Sequence, residues 1–223
     1  MEYTTFVINI CNHRWNKYSK DTNYTRFFGC SGKNELDLDW VNSKYNFYWN
    51  CNNDLRFNVA GCSESHLRLM KKIIDEKLNK VIVIEDDAVI DFNRLDELKH
   101  IKEFCYIGGR LQAPTLKKKL PRENIDLSHG FNVIDTQQYI ITGGHGYYFP
   151  TWEVCSEIYH NIIGRKKRRA IDVEFKRIQK DRKLNLIKLF LYPAISTLHL
   201  QDANNGFTFN DKRYKLKNNN LLY

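Results

Sequence analysis

Val81-Ile82-Val83-Ile84 runs without a break into Glu85-Asp86-Asp87. Consecutive β-prone aliphatics fit a strand buried on both faces. The acids then fall at its carboxyl end, where open α/β sheets bind their ligands. Adjacent carboxylates repel one another unless a cation shares the site, and hard divalent ions such as Mg²⁺ or Mn²⁺ prefer oxygen ligands. The triplet is therefore either a metal site or a solvated turn that closes the strand.

The surrounding pattern alternates strand and helix. Thr5-Phe6-Val7-Ile8-Asn9-Ile10 reads as a first strand, followed by a polar βα loop at Cys11-Asn12-His13-Arg14. Between Cys62 and Leu78 the spacing of Leu67, Met70, Ile74 and Leu78 predicts one apolar helical face, with Ser63 as N-cap and Asn79 as stop. Leu95, Leu98 and Ile101 mark a short helix. Phe104-Cys105-Tyr106-Ile107 reads as a strand closed by Gly108-Gly109. Residues 110–130 lack periodicity and carry Lys117-Lys118-Lys119, which suits a substrate loop. Tyr139–Thr142 and Tyr147–Phe149 are expected to be two strands flanking a turn, Gly143-Gly144-His145-Gly146, where backbone can approach a ligand closely. Val154, Ile158 and Ile162 predict another helix face, and Ile171, Phe175 and Ile178 a third. A late strand is expected within Leu186–Tyr192, before a polar tail.

A chain of 223 residues, 42% of them hydrophobic, can bury one substantial α/β core. The expected division is a domain over 1–210 and a polar C-terminal tail over 211–223. No apolar stretch approaches the roughly 20 residues of a membrane span. The N-terminus enters a strand with no signal-peptide core, and the scattered cysteines Cys11, Cys30, Cys51, Cys62, Cys105 and Cys155 contain no CxxC pair. These features predict free thiols and a cytoplasmic protein. The net charge of +9 draws phosphates, nucleic acid or anionic surfaces without choosing among them. For its densest run, Arg165-Lys166-Lys167-Arg168-Arg169, a solvated surface is the commoner explanation.

Several of these segments coincide with one family's motifs. Phe6-Val7-Ile8-Asn9-Ile10 followed by Arg14 is similar to an "INL…R" opening, and Gly61-Cys62-Ser63-Glu64-Ser65-His66-Leu67 to "GC..SH". Ile84-Glu85-Asp86-Asp87 is similar to "LEDD", Tyr106-Ile107-Gly108 to "YLG", Gly146-Tyr147-Tyr148 to "aY" and Ile171-Asp172 to "vD". Over roughly residues 5–205 the chain resembles glycosyltransferase family 25, whose members include lipopolysaccharide galactosyltransferases and procollagen galactosyltransferases acting on hydroxylysine.

The resemblance implies an α/β, single-domain GT-A fold, Rossmann-like and nucleotide-sugar-binding, with a mixed central sheet. It further implies inverting transfer of a hexose from UDP-galactose or UDP-glucose, with Mn²⁺ or Mg²⁺ as cofactor. The acceptor is a hydroxyl on a glycan or on a collagen-type hydroxylysine, bare or galactosylated. In a DxD-like motif the last acid usually binds the metal, which makes Asp87 the primary ligand and leaves Glu85 and Asp86 to the ribose or to metal-bound water; the first acid here is Glu rather than Asp. His199 is the candidate second ligand, although an isolated His on an alternating strand is commonly a core or surface residue and Gln201 also marks the matching position. Asn9 and Arg14 would face the nucleotide. Ser65 and His66 would lie beside the donor or simply fix a helix start.

Inversion needs a base for the acceptor hydroxyl. Asp172 is the first candidate, with helix capping as its plain alternative, and Asp202 the reserve within a turn-like Asp-Ala-Asn-Asn-Gly. Two rival classes are a metal-dependent nuclease, which would join clustered acids to a basic surface, and a non-catalytic nucleotide-sugar-binding module. No nucleic-acid partner is expected, and the oligomeric state is left open, a homodimer included.

Overall fold

The computed structural model describes residues 2–47, 51–90, 92–112, 132–133, 140–181, 190–191 and 196–198. Its strands are β1 (Thr4–Asn9), β2 (Tyr24–Phe28), β3 (Val81–Glu85), β4 (Ala88–Ile90), β5 (Cys105–Gln112), β6 (Asn132–Val133), β7 (Ile140–Phe149), β8 (Phe190–Leu191) and β9 (Ser196–Leu198). Its helices are α1 (Asn12–Trp15), α2 (Gly32–Glu35), α3 (Leu38–Lys44), α4 (Asn53–Asp75), α5 (Trp152–Ile163) and α6 (Ile171–Asp181), and a 3₁₀ segment spans Phe92–Leu98. The main sheet runs β2-β1-β3-β7-β5-β8-β6, and β4 pairs with β9 in a separate strip. Strands β2, β1 and β3 are parallel, whereas β7 is antiparallel to both β3 and β5. The result is a mixed α/β, GT-A-like fold.

Period-two alternation sorts each central strand between two cores. Phe6, Ile8, Val81, Val83, Tyr147 and Phe149 pack with Leu69, Met70, Ile158 and Phe175 of the covering helices. Val7, Ile82, Ile84 and Tyr148 point the other way, onto Tyr18, Ile90 and Leu98. Both faces of β3 are thus covered, which is why its apolar run needs no polar alternation. All six cysteines are free. Among the described residues, no helix is long and apolar enough to cross a membrane.

Helix α4 departs from its expected bounds at both ends. It begins at Asn53, where the Asn52 side chain accepts a hydrogen bond from the Leu55 amide, and Ser63 lies inside it, donating to the Val59 carbonyl. The helix passes through Gly61 because packing requires a glycine there. A Cβ on Gly61 would stand 2.7 Å from the Gly32 nitrogen, and one on Gly32 would stand 2.0 Å from the Phe57 carbonyl oxygen, so α2 rests backbone to backbone on α4. At the other end Lys77, at φ 51°, turns the chain out: its amide donates to the Ile74 carbonyl and the Leu78 amide to the Ile73 carbonyl. Asn79 is not the stop; it accepts from the Trp152 amide at the start of α5.

The other differences follow from the sheet. Cys11-Asn12-His13-Arg14 is not all loop, because α1 starts at Asn12. Gly108-Gly109 does not close β5, and Gly143-Gly144-His145-Gly146 is no turn; both glycine pairs lie inside paired strands, with register irregularities between Tyr106 and Arg110. Glycine loosens a ladder here without ending it. The late strand is β8, at Phe190–Leu191. Lys117-Lys118-Lys119 and the 210/211 boundary lie outside the described residues.

Replacing Gly32 with alanine forces α2 away from α4. The expected cost is at least about 1–3 kcal/mol, measured as a lower Tm, and an unchanged Tm would contradict this packing.

Candidate active site

The parallel register sets Ile8 beside Glu85, and the antiparallel register sets Ile84 beside Gly146. One step further along each pair brings Asn9 next to Asp86 and His145 next to Glu85. The carboxyl end of β3 therefore opens into a cleft of about 470 Å³ whose walls come from β1, α1, the segment Cys30–Lys33 and the middle of α4. His13, Arg14 and Lys33 line it together with all three acids.

The three carboxylates have three different environments. Asp86 is clamped: its Oδ2 accepts from Asn9 Nδ2 at 2.7 Å and its Oδ1 from Arg14 at 2.8 Å. Arg26 donates to Asn9 Oδ1 at 2.6 Å, which fixes the Asn9 amide with its nitrogen toward Asp86. Glu85 faces two imidazoles, His66 Nε2 3.2 Å from Oε1 and His145 Nδ1 3.4 Å from Oε2. Burial alone would raise the Glu85 pKa, but His145 and His66 outweigh it and hold the carboxyl well below the usual range. Asp87 has no such support. Its Oδ1 is buried with no hydrogen-bond partner, and burial, reinforced by the charge of Glu85, pushes its pKa up to about 6. Downstream, the Tyr18 hydroxyl donates to the Ala88 carbonyl at 2.6 Å and fastens the turn that carries these acids.

Donor atoms of Glu85, Asp87 and His145 lie within 4.8 Å of one another, as do those of Cys62, His66 and Glu85. The first set, two carboxylates and an imidazole around an unpartnered buried oxygen, fits a divalent cation that accepts oxygen and nitrogen. His145 is a ligand candidate that the sequence reading passes over; its only signal was a histidine among glycines where close backbone approach is expected.

The other expected residues separate. Ser65 lines the cleft, but its hydroxyl donates to the Gly61 carbonyl and accepts from the Cys30 amide, both at 2.7 Å, so it docks the Cys30 segment onto α4. His66 is buried between Tyr147, whose hydroxyl oxygen is 2.6 Å from Nδ1, and Glu85. Burial pushes the Tyr147 hydroxyl well above its ordinary range, so the phenol stays protonated beside Nδ1.

Asp172 lies in the first turn of α6, where it accepts from its neighbour Val173. The Arg169 amide ahead of the helix donates instead to Glu174. Burial raises the Asp172 pKa, the Val173 amide opposes this, and the charge of Glu85 adds to it, which places Asp172 within electrostatic reach of the acid cluster. His199 and Asp202 lie outside the described residues.

Residues 4–142 match the family model described as glycosyltransferase family 25 (LPS biosynthesis protein). No curated protein matches the chain. The matched span includes Asn9, Arg14, Ser65, His66 and the acid triplet, and it ends before His145 and Asp172. It sets aside the nuclease reading.

The Asp87 environment has a consequence for the metal-free protein. Its folded pKa of about 6 lies above the ordinary 3.8, so the folded state binds the extra proton and stability is lost as pH rises through that window. Asp87→Asn is expected to raise Tm above wild type at about pH 7.5, with the difference vanishing near pH 4. Thermal melts in chelator measure it, and an equal or lower Tm for the variant at about pH 7.5 would contradict the assignment.

Proposed function

The chain belongs to glycosyltransferase family 25 and is a glycosyltransferase; on that premise we propose that it transfers galactose or glucose from a UDP-sugar to a hydroxyl acceptor, with inversion and with Mn²⁺ or Mg²⁺. The observation that carries the metal and donor reading is the buried, unpartnered Asp87 Oδ1 beside Glu85 and His145, in a cleft that also holds His13, Arg14 and Lys33. Asp87, Glu85 and His145 would hold the ion, which when bound supplies Lewis-acid stabilisation of the charge on the departing diphosphate. His199 is a further ligand candidate.

The protein's own groups supply the rest. Arg14 and Lys33 give the cleft a cationic wall suited to the diphosphate, with the His13 imidazole beside them, while Arg14 also neutralises Asp86, so the loop between β1 and α1 is set before a donor arrives. His66 and His145 hold Glu85 ionised and fixed in direction. Asp172, with its pKa raised by burial, takes the acceptor hydroxyl's proton as that oxygen attacks the anomeric carbon from the face opposite the leaving group. Asp202 is the reserve base. The family's description as LPS biosynthesis favours a saccharide acceptor over a hydroxylysine side chain.

A donor screen measuring UDP release tests donor and metal together. Turnover is expected with UDP-galactose or UDP-glucose in Mn²⁺ or Mg²⁺ and is expected to vanish in chelator; turnover that survives chelation, or none with any UDP-sugar, would contradict the proposal. Asp172→Asn should lower kcat by about 10²–10⁴-fold with UDP affinity unchanged. Full turnover in that variant would leave Asp172 a structural residue.

A further inference from the structure

We propose that the inner wall of the cleft is a second cation site, Cys62–His66–Glu85, and that it takes Zn²⁺. Cys62 and His66 stand one turn apart on α4 and so share a face of that helix. That face meets the end of β3, with Cys62 Sγ 4.0 Å and His66 Nε2 3.2 Å from the same oxygen, Glu85 Oε1. A tetrahedral Zn²⁺ with bonds of about 2.3 Å to sulfur and about 2.0–2.1 Å to nitrogen and oxygen requires S···O and N···O separations of roughly 3.6 and 3.3 Å. The observed separations are within a few tenths of an ångström of those values. A thiolate, an imidazole and a carboxylate suit zinc and suit Mg²⁺ poorly, because sulfur is a soft ligand.

Two further features belong to a metal site. Two of the three inner ligands have outer support, since Tyr147 contacts His66 Nδ1 and His145 contacts the far oxygen of Glu85. Cys62 is exposed on the cleft wall, which gives the ion a way in and leaves a fourth position open toward the cleft. On binding, the Cys62 proton leaves to solvent, and His66 turns to the tautomer whose Nδ1 carries the proton and donates to the Tyr147 oxygen, presenting Nε2 to the ion.

Glu85 belongs to both cation sets, Oε1 facing the inner one and Oε2 facing His145 of the outer one. Resting on the proposed role of the outer set, Zn²⁺ in the inner set therefore opposes the hard cation: it withdraws electron density from the shared carboxylate and adds a like charge next door. The inner site is in this way a zinc-responsive brake on the donor site.

Cobalt(II) reports the inner site without any sugar transfer. Titrating Co²⁺ into the metal-stripped full chain is expected to give a thiolate-to-cobalt charge-transfer band that Zn²⁺ displaces, that is lost in Cys62→Ala and that persists in Asp87→Asn. Absence of the band in wild type, its retention in Cys62→Ala, or its loss in Asp87→Asn would overturn the site. Because Cys62 is exposed, its replacement leaves the core untouched, and a circular dichroism melt confirms folding. For the opposition, calorimetric titration of Mn²⁺ should shift to higher concentration when Zn²⁺ is present in wild type and not in Cys62→Ala. A shift of the same size in both proteins would overturn the coupling through Glu85 while leaving the cobalt result standing.

Discussion

Packing three carboxylates at the end of one buried strand is the constraint on which this structure turns. At these separations and in a partly dry cleft their mutual repulsion is far larger than in bulk water. The chain resolves it by giving each acid a different fate. Asp86 is paired with a guanidinium and an amide; Glu85 is placed between two imidazoles; Asp87 is left without a partner and pushed toward its protonated form. A surface turn would let all three point to water. Here two are committed and one is left unpartnered, which is the arrangement the proposed cation site requires.

Most of the surrounding architecture acts by setting that end of β3. The parallel partner β1 brings Asn9 alongside Asp86, and the antiparallel partner β7 brings His145 alongside Glu85. A one-residue slip on either side would turn these polar groups into the cores and aliphatics into the cleft. Helix α4 contributes His66 and Cys62 from the third side, and its depth is fixed by the Gly32–Gly61 approach. Register and a close helix contact, rather than local loop chemistry, therefore make the site.

The strand, its acids and the neighbouring β1 were legible in the sequence because an apolar run and a period-two alternation are local signals. The ends of α4 were not: Gly61 and Ser63 carry helix-start chemistry, yet Gly61 is there for its missing Cβ, and Lys77 rather than Asn79 adopts the left-handed turn. Strand β7 was read as two pieces because a glycine run mimics a turn, and that reading hid His145, whose relation to Glu85 exists only through antiparallel pairing. Asn9 and Arg14 were found by family resemblance, though Asn9 is buried against Asp86 and does not line the cleft, and Arg14 both lines the cleft and pairs with Asp86. The environment of Asp172 was illegible for the same reason as that of His145, since burial and the field of Glu85 are products of the tertiary fold.

The central claim is that Asp87, Glu85 and His145 form one cation site. Pulsed electron paramagnetic resonance of Mn²⁺ bound to protein carrying ¹⁵N-labelled histidine tests it most directly. Directly coordinated nitrogen is expected in wild type, with one coordinated nitrogen fewer in His145→Ala, while Asp87→Asn weakens Mn²⁺ binding itself. Tight Mn²⁺ binding with no nitrogen coupling, or a coupling pattern left unchanged by His145→Ala, would contradict the account.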